Sequence, residues 1–595
     1  MSAIANVGTV KLVETGQFQR DSARYWTYVC RALIAAVVLY LSIDALFNRE
    51  FLKNISDGVG YLDMSHAAAA GHRKALLNAY WSPGYPVVLA IGLAILHPSP
   101  ARELAAVYGI HWVIGILALW ALIYFATGLQ TSQVQGRFVL TRSMLIATGC
   151  ALFLISLQND VPVYLMTPDL LLASLLWCAG GALLRIGRYQ RLYHYAVLAI
   201  VLSLAYFTKA VALSLVIAAL AVLPFTGVSR RRASHGILLY TAIATILIAP
   251  YVTALSKAKG RFTFGESGTL NYSWIVDGAD GPNRWHLQND SPHGHASMHL
   301  VHPAQRLMTS PDVYYYPDPV PGTYPVFDDP SYWDDGLRPS FYLQGEVWHV
   351  AMNLFHTLTW LATRGVFVVG LVLLLYLQFK SGDRAQFRVI LPVLMLFLSV
   401  WMLYLLVDIE NRYIFGIGTA ILLSGAAMIK LRDSGSLPRI VGMCTLVLVC
   451  GVAVESLGFA AGELFSGVRQ VHTGKFKQAR GIGALDNPFW EIAQNLHDRL
   501  HLQPNDQVAC MQTGCDNTYW ASLANTRITA DLSREEDYWA APPDARARAM
   551  AVLAERGVKA VVTRHLGAGA ESEGWIPLFD PYEMPSQDLF ARFTK

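Results

Sequence analysis

The stretch Tyr80-Trp81-Ser82-Pro83-Gly84-Tyr85-Pro86 opens an apolar run that ends at residue 96, and the length of this run decides how the rest of the chain is oriented. A helix needs about 20 mostly apolar residues to cross the hydrocarbon core of a membrane. The run 84–96 is shorter and has prolines at its start, so we predict a re-entrant or interfacial helix rather than a crossing. Every later segment takes its side of the membrane from this assignment.

The composition of the whole chain is that of a membrane protein. Of the 595 residues, 54% are hydrophobic and 15% are charged, which does not describe a soluble globular chain. The net charge of +4 is too small to indicate a nucleic acid as partner, and membrane lipid is the predicted surrounding. The first apolar run has no clear small-residue cleavage site behind it, so we expect a membrane anchor.

The apolar runs predict a mainly α-helical, polytopic bundle of about eleven spans, with interfacial helices beside it. The predicted spans lie near residues 31–48, 104–127, 138–158, 167–184, 194–208, 210–226, 236–255, 359–379, 388–407, 413–430 and 438–458.

Clusters of Arg and Lys in alternate loops predict the cytoplasmic side. The opposite side then receives the outer segments 49–103 and 256–358 and the tail from residue 465. We predict a transmembrane domain over 1–464 and a small extracytoplasmic α/β domain over 465–595, in the cell inner (plasma) membrane. The basic clusters are Arg20 and Arg24; Arg137 and Arg142; Arg185, Arg188 and Arg191; Arg230, Arg231 and Arg232; Lys380, Arg384 and Arg388; and Lys430, Arg432 and Arg439.

The tail alternates strand-length apolar runs with helical patterns. We predict strands at 507–510 and 558–562 and helices at 489–502 and 544–556. Cys510 and Cys515 stand five residues apart, which is close enough for a small disulfide loop if both lie in an oxidising space.

The first outer segment contains a candidate general base. Ser56 is a suitable N-cap, which places Asp57 in the first turn of a surface helix and Tyr61 one turn further on the same face. An ionised carboxylate at the mouth of a membrane cavity can accept the proton of an attacking hydroxyl. The alternative is that Asp57 only caps the helix.

The order of four short motifs resembles the GT-C superfamily of polytopic glycosyltransferases, which includes protein O-mannosyltransferases and lipid A aminoarabinose transferases. The motifs are Asp57-x-x-x-Tyr61, the aromatic stretch 80–86, Thr167-Pro168-Asp169 and the segment 205–209 that ends in Lys209. The resemblance covers about residues 25–430 in architecture. One departure is that lipid A aminoarabinose transferases have Lys-Pro where this chain has Ser82-Pro83. The resemblance implies a polyprenyl-phosphate sugar donor and an acceptor outside the cytoplasm.

The implied reaction assigns roles to six residues. Displacement at the anomeric carbon with inversion needs a base for the attacking hydroxyl and positive charge for the departing phosphate. We assign Asp57 as the catalytic base, and substrate binding to Tyr61, Tyr85, Asp169, Lys209 and Arg412.

Each of the three charged binding residues also has a structural alternative. Asp169 is equally suited to cap a helix, and Lys209 to extend to the membrane interface. Arg412 is suited to pair with Glu410 or Asp408.

The sequence predicts no metal ligands and names no cofactor. The metal question rests on His286, His293, His295, His299 and His302. These histidines lack regular ligand spacing, so we expect them to lie in a solvated loop, and a divalent metal is left open.

A different class of function, a lipid or polysaccharide transporter or flippase, also suits a broken apolar run around Lys209. Such transporters usually have internal symmetry, and the sequence has no detectable repeat. The sugar and the acceptor are not identified.

Overall fold

The computed structural model describes residues 3–47, 56–129, 137–279, 297–317, 322–380, 385–432, 437–473, 488–515, 517–578 and 589–594. This part of the chain is mainly helical, because a backbone that crosses lipid must satisfy its hydrogen bonds internally. The helices are α1 (Ala3–Phe47), α2 (Ser56–Ala69), α3 (Gly84–Leu96), α4 (Glu103–Leu129), α5 (Arg142–Asn159), α6 (Asp169–Tyr189), α7 (Leu192–Thr208), α8 (Leu213–Val222), α9 (Arg230–Lys259), α10 (Ser267–Asn271), α11 (Pro325–Asp328), α12 (Pro330–Trp333), α13 (Leu343–Ala362), α14 (Gly365–Lys380), α15 (Ala385–Val407), α16 (Asn411–Ala427), α17 (Leu437–Thr473), α18 (Pro488–Leu500), α19 (Gln512–Cys515), α20 (Tyr519–Leu523), α21 (Glu535–Ala540) and α22 (Pro543–Glu555).

The described residues also form short strands. They are β1 (Arg137–Val139), β2 (Ser297–Met298), β3 (Gln305–Thr309), β4 (Asp312–Tyr315), β5 (Leu337–Arg338), β6 (Lys430–Arg432), β7 (Gln507–Met511), β8 (Arg527–Leu532), β9 (Val558–Thr563), β10 (Ile576–Pro577) and β11 (Phe590–Phe593).

Each predicted span overlaps a helix: α1, α4 to α9, or α14 to α17. Within the described ranges, six helices are by themselves long and apolar enough to cross a membrane, and the bent pair α13 and α14 is a seventh candidate. The run 84–96 forms α3, a helix of 13 residues. At 1.5 Å per residue such a helix extends about 20 Å, short of a hydrocarbon core of about 30 Å. The short helix predicted from the opening stretch is therefore confirmed.

The predicted span 359–379 is broken rather than continuous. The chain bends by 94° between α13 and α14. Arg364 lies at this bend with its side chain fully buried, where it pairs with Asp160 at the end of α5. It also donates hydrogen bonds to Ser156 Oγ and to the Trp360 carbonyl, both at 3.0 Å. A buried guanidinium requires such partners, and the turn at residue 364 brings the side chain to them.

The predicted α/β tail is present and is built around a seven-stranded sheet in the order β10-β11-β9-β7-β8-β4-β3. The central strand β7 is parallel to β8 and β9, and the remaining neighbours are antiparallel. The predicted strands and helices of the tail are confirmed as β7, β9, α18 and α22. The hairpin β3–β4 comes from the outer segment 256–358 and extends this sheet. The boundary at residue 464 stays a prediction, and α17 continues across it to Thr473.

Contacts between connecting segments join predicted outer segments with one another and predicted cytoplasmic loops with one another. On the predicted outer side, Tyr519 of the tail donates to Glu103 at 2.7 Å, and Thr323 donates to Asp63. On the predicted cytoplasmic side, β1 pairs with β6. The segments that the charge pattern assigns to one side therefore contact each other in the folded chain.

Candidate active site

The predicted site residues lie in one region, where several helices begin or end. Glycine at position 84 lets α3 approach the end of α7 closely, because a Cβ there would stand 2.7 Å from the Phe207 carbonyl oxygen. Asp57 and Tyr61 lie in α2, Tyr85 lies in α3, Asp169 is the first residue of α6, Lys209 follows α7, and Arg412 lies in the first turn of α16.

Arg412 binds two carboxylates at once. Its Nη1 lies 3.3 Å from Asp57 Oδ2, and its Nε and Nη2 donate to the two oxygens of Glu410 at 2.6 and 3.1 Å. The pairing with Glu410 that the sequence left open is therefore present, and Asp57 shares the same guanidinium. The side chains of Asp57 and Glu410 remain 39% and 45% exposed, so both carboxylates are accessible to solvent.

Lys209 forms an ion pair with a buried carboxylate. Its Nζ lies 2.8 Å from Asp169 Oδ1, and the Asp169 side chain is only 2% exposed. The second oxygen, Asp169 Oδ2, has no hydrogen-bond partner among the described residues. This pair therefore leaves one buried carboxylate oxygen available to a further hydrogen-bond donor.

Tyr413 joins the two ion pairs into one electrostatic unit. Its ring centroid lies 3.6 Å from Lys209 Nζ and 5.1 Å from the guanidinium carbon of Arg412, within the range of cation–π attraction. The Tyr413 hydroxyl donates to Glu410 Oε1 at 3.1 Å and accepts a bond from Arg412 Nη2 at 3.3 Å. Tyr404 stacks on the Tyr413 ring at 5.3 Å.

An aromatic wall stands beside these charges. Tyr61 packs against Trp81 and Tyr85, with ring centroids 4.8 and 5.1 Å apart. Burial, and then the negative charge of Asp57, raise the pKa of the Tyr61 hydroxyl well above its usual value, so this hydroxyl stays neutral. The structure thus places Tyr61 among the charged residues with its hydroxyl as a neutral donor or acceptor.

Tyr85 lies behind Tyr61 and is fully buried. Its hydroxyl is 2.5 Å from Nε2 of His111, whose Nδ1 is 2.6 Å from the Val163 carbonyl oxygen. Because a carbonyl only accepts hydrogen bonds, Nδ1 carries the proton and Nε2 accepts from Tyr85. The Tyr85 hydroxyl is therefore committed to His111, and its predicted role in binding substrate stays a prediction.

Within the described part of the chain, the histidines considered above as metal ligands do not form a metal-binding cluster. Within the described ranges, no group of three or more His, Cys, Asp or Glu side chains is arranged to hold a metal ion. His286, His293 and His295 lie outside those ranges. His302 stacks on Tyr332 with ring centroids 3.7 Å apart.

From the sequence, we named Glu410 only as an alternative partner of Arg412 and gave no role to Tyr413 or His111. The signal for the first two was their position in the tetrad 410–413, immediately around Arg412. His111 lies within an apolar span, where an ionisable residue is itself a sign of a specific contact.

Comparison with known proteins finds a likeness of fold only. No family model and no curated protein matches the chain. Among solved structures, the chain is similar to ArnT from Cupriavidus metallidurans in the apo state, with a TM-score of 0.50 and 13% identity over 96% of this chain and 98% of that chain.

Two further solved structures have lower TM-scores. The same ArnT bound to undecaprenyl phosphate gives 0.49 at 12% identity, over 95% of this chain and 98% of that chain. The apo oligosaccharyltransferase of Archaeoglobus fulgidus gives 0.48 at 10% identity, over 89% and 69%. The likeness to apo ArnT shows that the two chains share a fold along nearly their whole lengths, which confirms the fold class predicted from the sequence.

Proposed function

We propose that the chain is a membrane glycosyltransferase that moves a sugar from a polyprenyl-phosphate donor to an acceptor outside the cytoplasm, with inversion at the anomeric carbon. The observation that carries the proposal is the meeting of Asp57, an accessible carboxylate, with Arg412, beside the second cation Lys209. A transfer from a lipid phosphate needs these two kinds of group side by side.

The reaction follows from the charges. A hydroxyl of the acceptor attacks the anomeric carbon and gives its proton to Asp57, while the bond from that carbon to the phosphate oxygen breaks. The phosphate leaves with the electron pair, next to Arg412 and Lys209. A single displacement inverts the configuration, and no acid is needed because phosphate is a stable anion.

We expect Arg412 to exchange a partner when the donor binds. Four of its five N–H donors are engaged by Asp57, Glu410 and Tyr413, and its guanidinium fork suits a phosphate as well as a carboxylate. Movement of Arg412 from Asp57 to the phosphate would release the Asp57 carboxylate for the incoming hydroxyl. Donor binding and preparation of the base are then one event.

The proposed location is the inner (plasma) membrane, with the site and the tail on the extracytoplasmic side. Cys510 and Cys515 form a disulfide in the tail, and such bonds persist in oxidising compartments. The arrangement of Arg and Lys clusters supports the same orientation.

The test is turnover of a panel of undecaprenyl phosphate sugars by the purified chain in nanodiscs, with a cell-envelope extract as the source of the acceptor, measured as release of undecaprenyl phosphate. Asp57→Asn should lower turnover by about 10²–10⁴-fold, the usual loss for a general base, while binding of undecaprenyl phosphate is retained. Glu410→Gln changes the other carboxylate on Arg412 and should cost less, since it does not remove the proposed base. Wild-type turnover in Asp57→Asn would exclude the proposed role.

A transporter is the second candidate, and the break between α7 and α8 at Lys209 and the bend between α13 and α14 favour it. Movement of a labelled undecaprenyl phosphate sugar between the leaflets of a vesicle, with no release of undecaprenyl phosphate, would support this candidate against the transferase.

A further inference from the structure

Helix α2 has two functional faces. Asp57 and Tyr61 face the candidate active site. Because successive residues of an α-helix are rotated by about 100°, Asp63 lies about 120° and His66 about 180° around the helix from Asp57, on a different face. The contacts that Asp63 and His66 make therefore set the position of Asp57.

Asp63 is the main attachment of the second face. Its carboxylate accepts hydrogen bonds from the Thr323 backbone nitrogen at 2.7 Å, from Thr323 Oγ1 at 2.8 Å and from Ser522 Oγ at 3.3 Å. Thr323 precedes α11 in the outer segment, and Ser522 lies in α20 of the tail. Three donors from two distant segments thus converge on one side chain of α2.

A second attachment reaches the same tail helix through α4. His66 Nε2 lies 2.5 Å from Glu103 Oε1, and the Tyr519 hydroxyl of α20 donates to Glu103 Oε2 at 2.7 Å. Both attachments therefore end on α20, so the tail holds α2 at two positions separated by about one turn.

The backbone of α2 also lies directly on the outer segment. Position 60 has no room for a Cβ against the Phe327 carbonyl, so glycine is required for this contact. The same carbonyl accepts a bond from Trp81 Nε1 at 2.8 Å, and the Asp328 carbonyl accepts one from Asn78 Nδ2 at 2.8 Å. The stretch 78–81 thereby holds residues 327 and 328 by hydrogen bonds. Helix α2 packs against a segment that is itself fixed in position.

We propose that the tail domain, acting with Thr323, is a positioning element for the base Asp57, and that Asp63 is the positioning residue through which it acts. This inference rests on the proposed function. The attachments fix the rotation and the height of α2, and a displacement of about 1 Å at a reacting group can cost about 10²-fold in rate.

Thr323 allows a test that preserves shape. Thr323→Val removes the hydroxyl donor to Asp63 and should lower kcat by about 10–100-fold, with the donor KM changed by less than about 3-fold. Thr323→Ser restores a hydroxyl and should restore kcat. The substrate is the undecaprenyl phosphate sugar that the wild-type chain consumes most rapidly, and the readout is release of undecaprenyl phosphate.

Glu535→Gln is the matched control. Glu535 is a buried tail carboxylate that accepts the Thr563 hydroxyl at 2.8 Å and the Arg564 backbone nitrogen at 3.4 Å, much as Asp63 accepts both groups of Thr323. The control should leave kcat near the wild-type value. Backbone amide exchange in residues 56–69 should accelerate in Thr323→Val and Asp63→Asn, and not in Glu535→Gln.

The outcomes separate the two proposals. Unchanged kcat in Thr323→Val and Asp63→Asn would overturn the positioning role, as would an equal loss of kcat in Glu535→Gln or in Thr323→Ser. If Asp57→Asn keeps full turnover, the proposed function fails. Loss in Asp57→Asn with no loss in either Thr323→Val or Asp63→Asn rejects the positioning role alone.

Discussion

At the scale of single residues, the site contains two cations and three carboxylates in two ion-paired groups that Tyr413 connects. Asp57 and Glu410 share Arg412 and remain accessible, whereas Asp169 is buried against Lys209. The two ion pairs therefore differ in kind. A pair that remains accessible can exchange partners when a ligand arrives, and a buried carboxylate is costly to leave without its cation.

Replacement of Lys209 should affect both stability and ligand binding. Lys209→Ala leaves the Asp169 carboxylate buried without its cation, so the unfolding temperature in detergent should fall together with affinity for undecaprenyl phosphate. Lys209→Arg keeps the charge and should be partly tolerated.

The double variant Lys209→Ala/Asp169→Asn separates the two effects. Removing both charges should recover much of the unfolding temperature but not the affinity, because the cation that meets phosphate is still missing. Equal affinity for undecaprenyl phosphate in the wild type and Lys209→Ala would remove Lys209 from the donor site.

His66 should make stability depend on pH. Burial alone lowers the pKa of His66, but the hydrogen bond and charge of Glu103, with a contribution from Asp63, outweigh it and raise the pKa above 6.5. A raised folded-state pKa contributes stability that is fully present below the unfolded value and is lost as pH rises through the folded value. The effect is small because the side chain is 43% exposed.

Thermal unfolding across this pH range is the measurement. The unfolding temperature of the wild type should fall slightly as the pH rises from below 6.5 through the raised pKa of His66. His66→Gln keeps a hydrogen-bond donor to Glu103 but does not titrate, so its unfolding temperature should not show this fall. Identical pH profiles in the two proteins would contradict the assignment.

At the scale of secondary-structure elements, the bend between α13 and α14 depends on one buried ion pair. Asp160 and Arg364 are both fully buried, so removal of one partner leaves an isolated charge. Arg364→Met should therefore lower the free energy of unfolding by about 3–5 kcal/mol. Arg364→Met/Asp160→Leu should lose less, since no unpaired charge remains, and thermal or denaturant unfolding in detergent measures the difference.

The same bend bears on the site through α13. Asn353 of α13 donates to the Leu405 carbonyl at 3.0 Å and accepts a bond from the Ile409 backbone nitrogen at 3.1 Å. The turn before Arg412 is thereby attached to α13. Arg364→Met should lower turnover more than the double variant does; equal turnover in the two would show that the bend does not reach the site.

At the scale of the whole molecule, the orientation of the tail can be tested with surface cysteines. Arg548 in α22 of the tail is 64% exposed, and Arg232 lies exposed in a predicted cytoplasmic cluster. In a background that lacks the five cysteines outside the disulfide, Arg548→Cys should react with a membrane-impermeant maleimide on intact cells, and Arg232→Cys only after permeabilisation. The reverse pattern would place the tail in the cytoplasm and remove the proposed extracytoplasmic reaction.

The disulfide itself has a separate readout. After acid quenching and denaturation of whole cells, Cys510 and Cys515 should resist alkylation until a reductant is added. Alkylation of both thiols without reductant would show that the bond does not form in the cell.

The sequence by itself determined the features that depend on near neighbours. Apolar runs of sufficient length predicted the helices of the bundle, the shortness of the run 84–96 predicted α3, and strand-length apolar runs predicted β7 and β9. These features could be predicted because the length of an apolar run, and the hydrogen bonds within a helix, depend on residues that are close in sequence. The four short motifs and their common side selected five of the six candidate site residues, and Arg412 was selected as a cation beside a predicted span.

Only the tertiary structure decided which residues meet. Asp57 and Arg412 are 355 positions apart, and Asp169 and Lys209 are brought together by the packing of α6 on α7. No local pattern contains these distances, because they depend on how helix surfaces fit against one another. The break at Arg364 and the hairpin β3–β4 that completes the tail sheet have the same origin. The buried charge of Arg364 pairs with Asp160, and the edge of β8 pairs with β4. Both partners lie in segments that are remote in sequence.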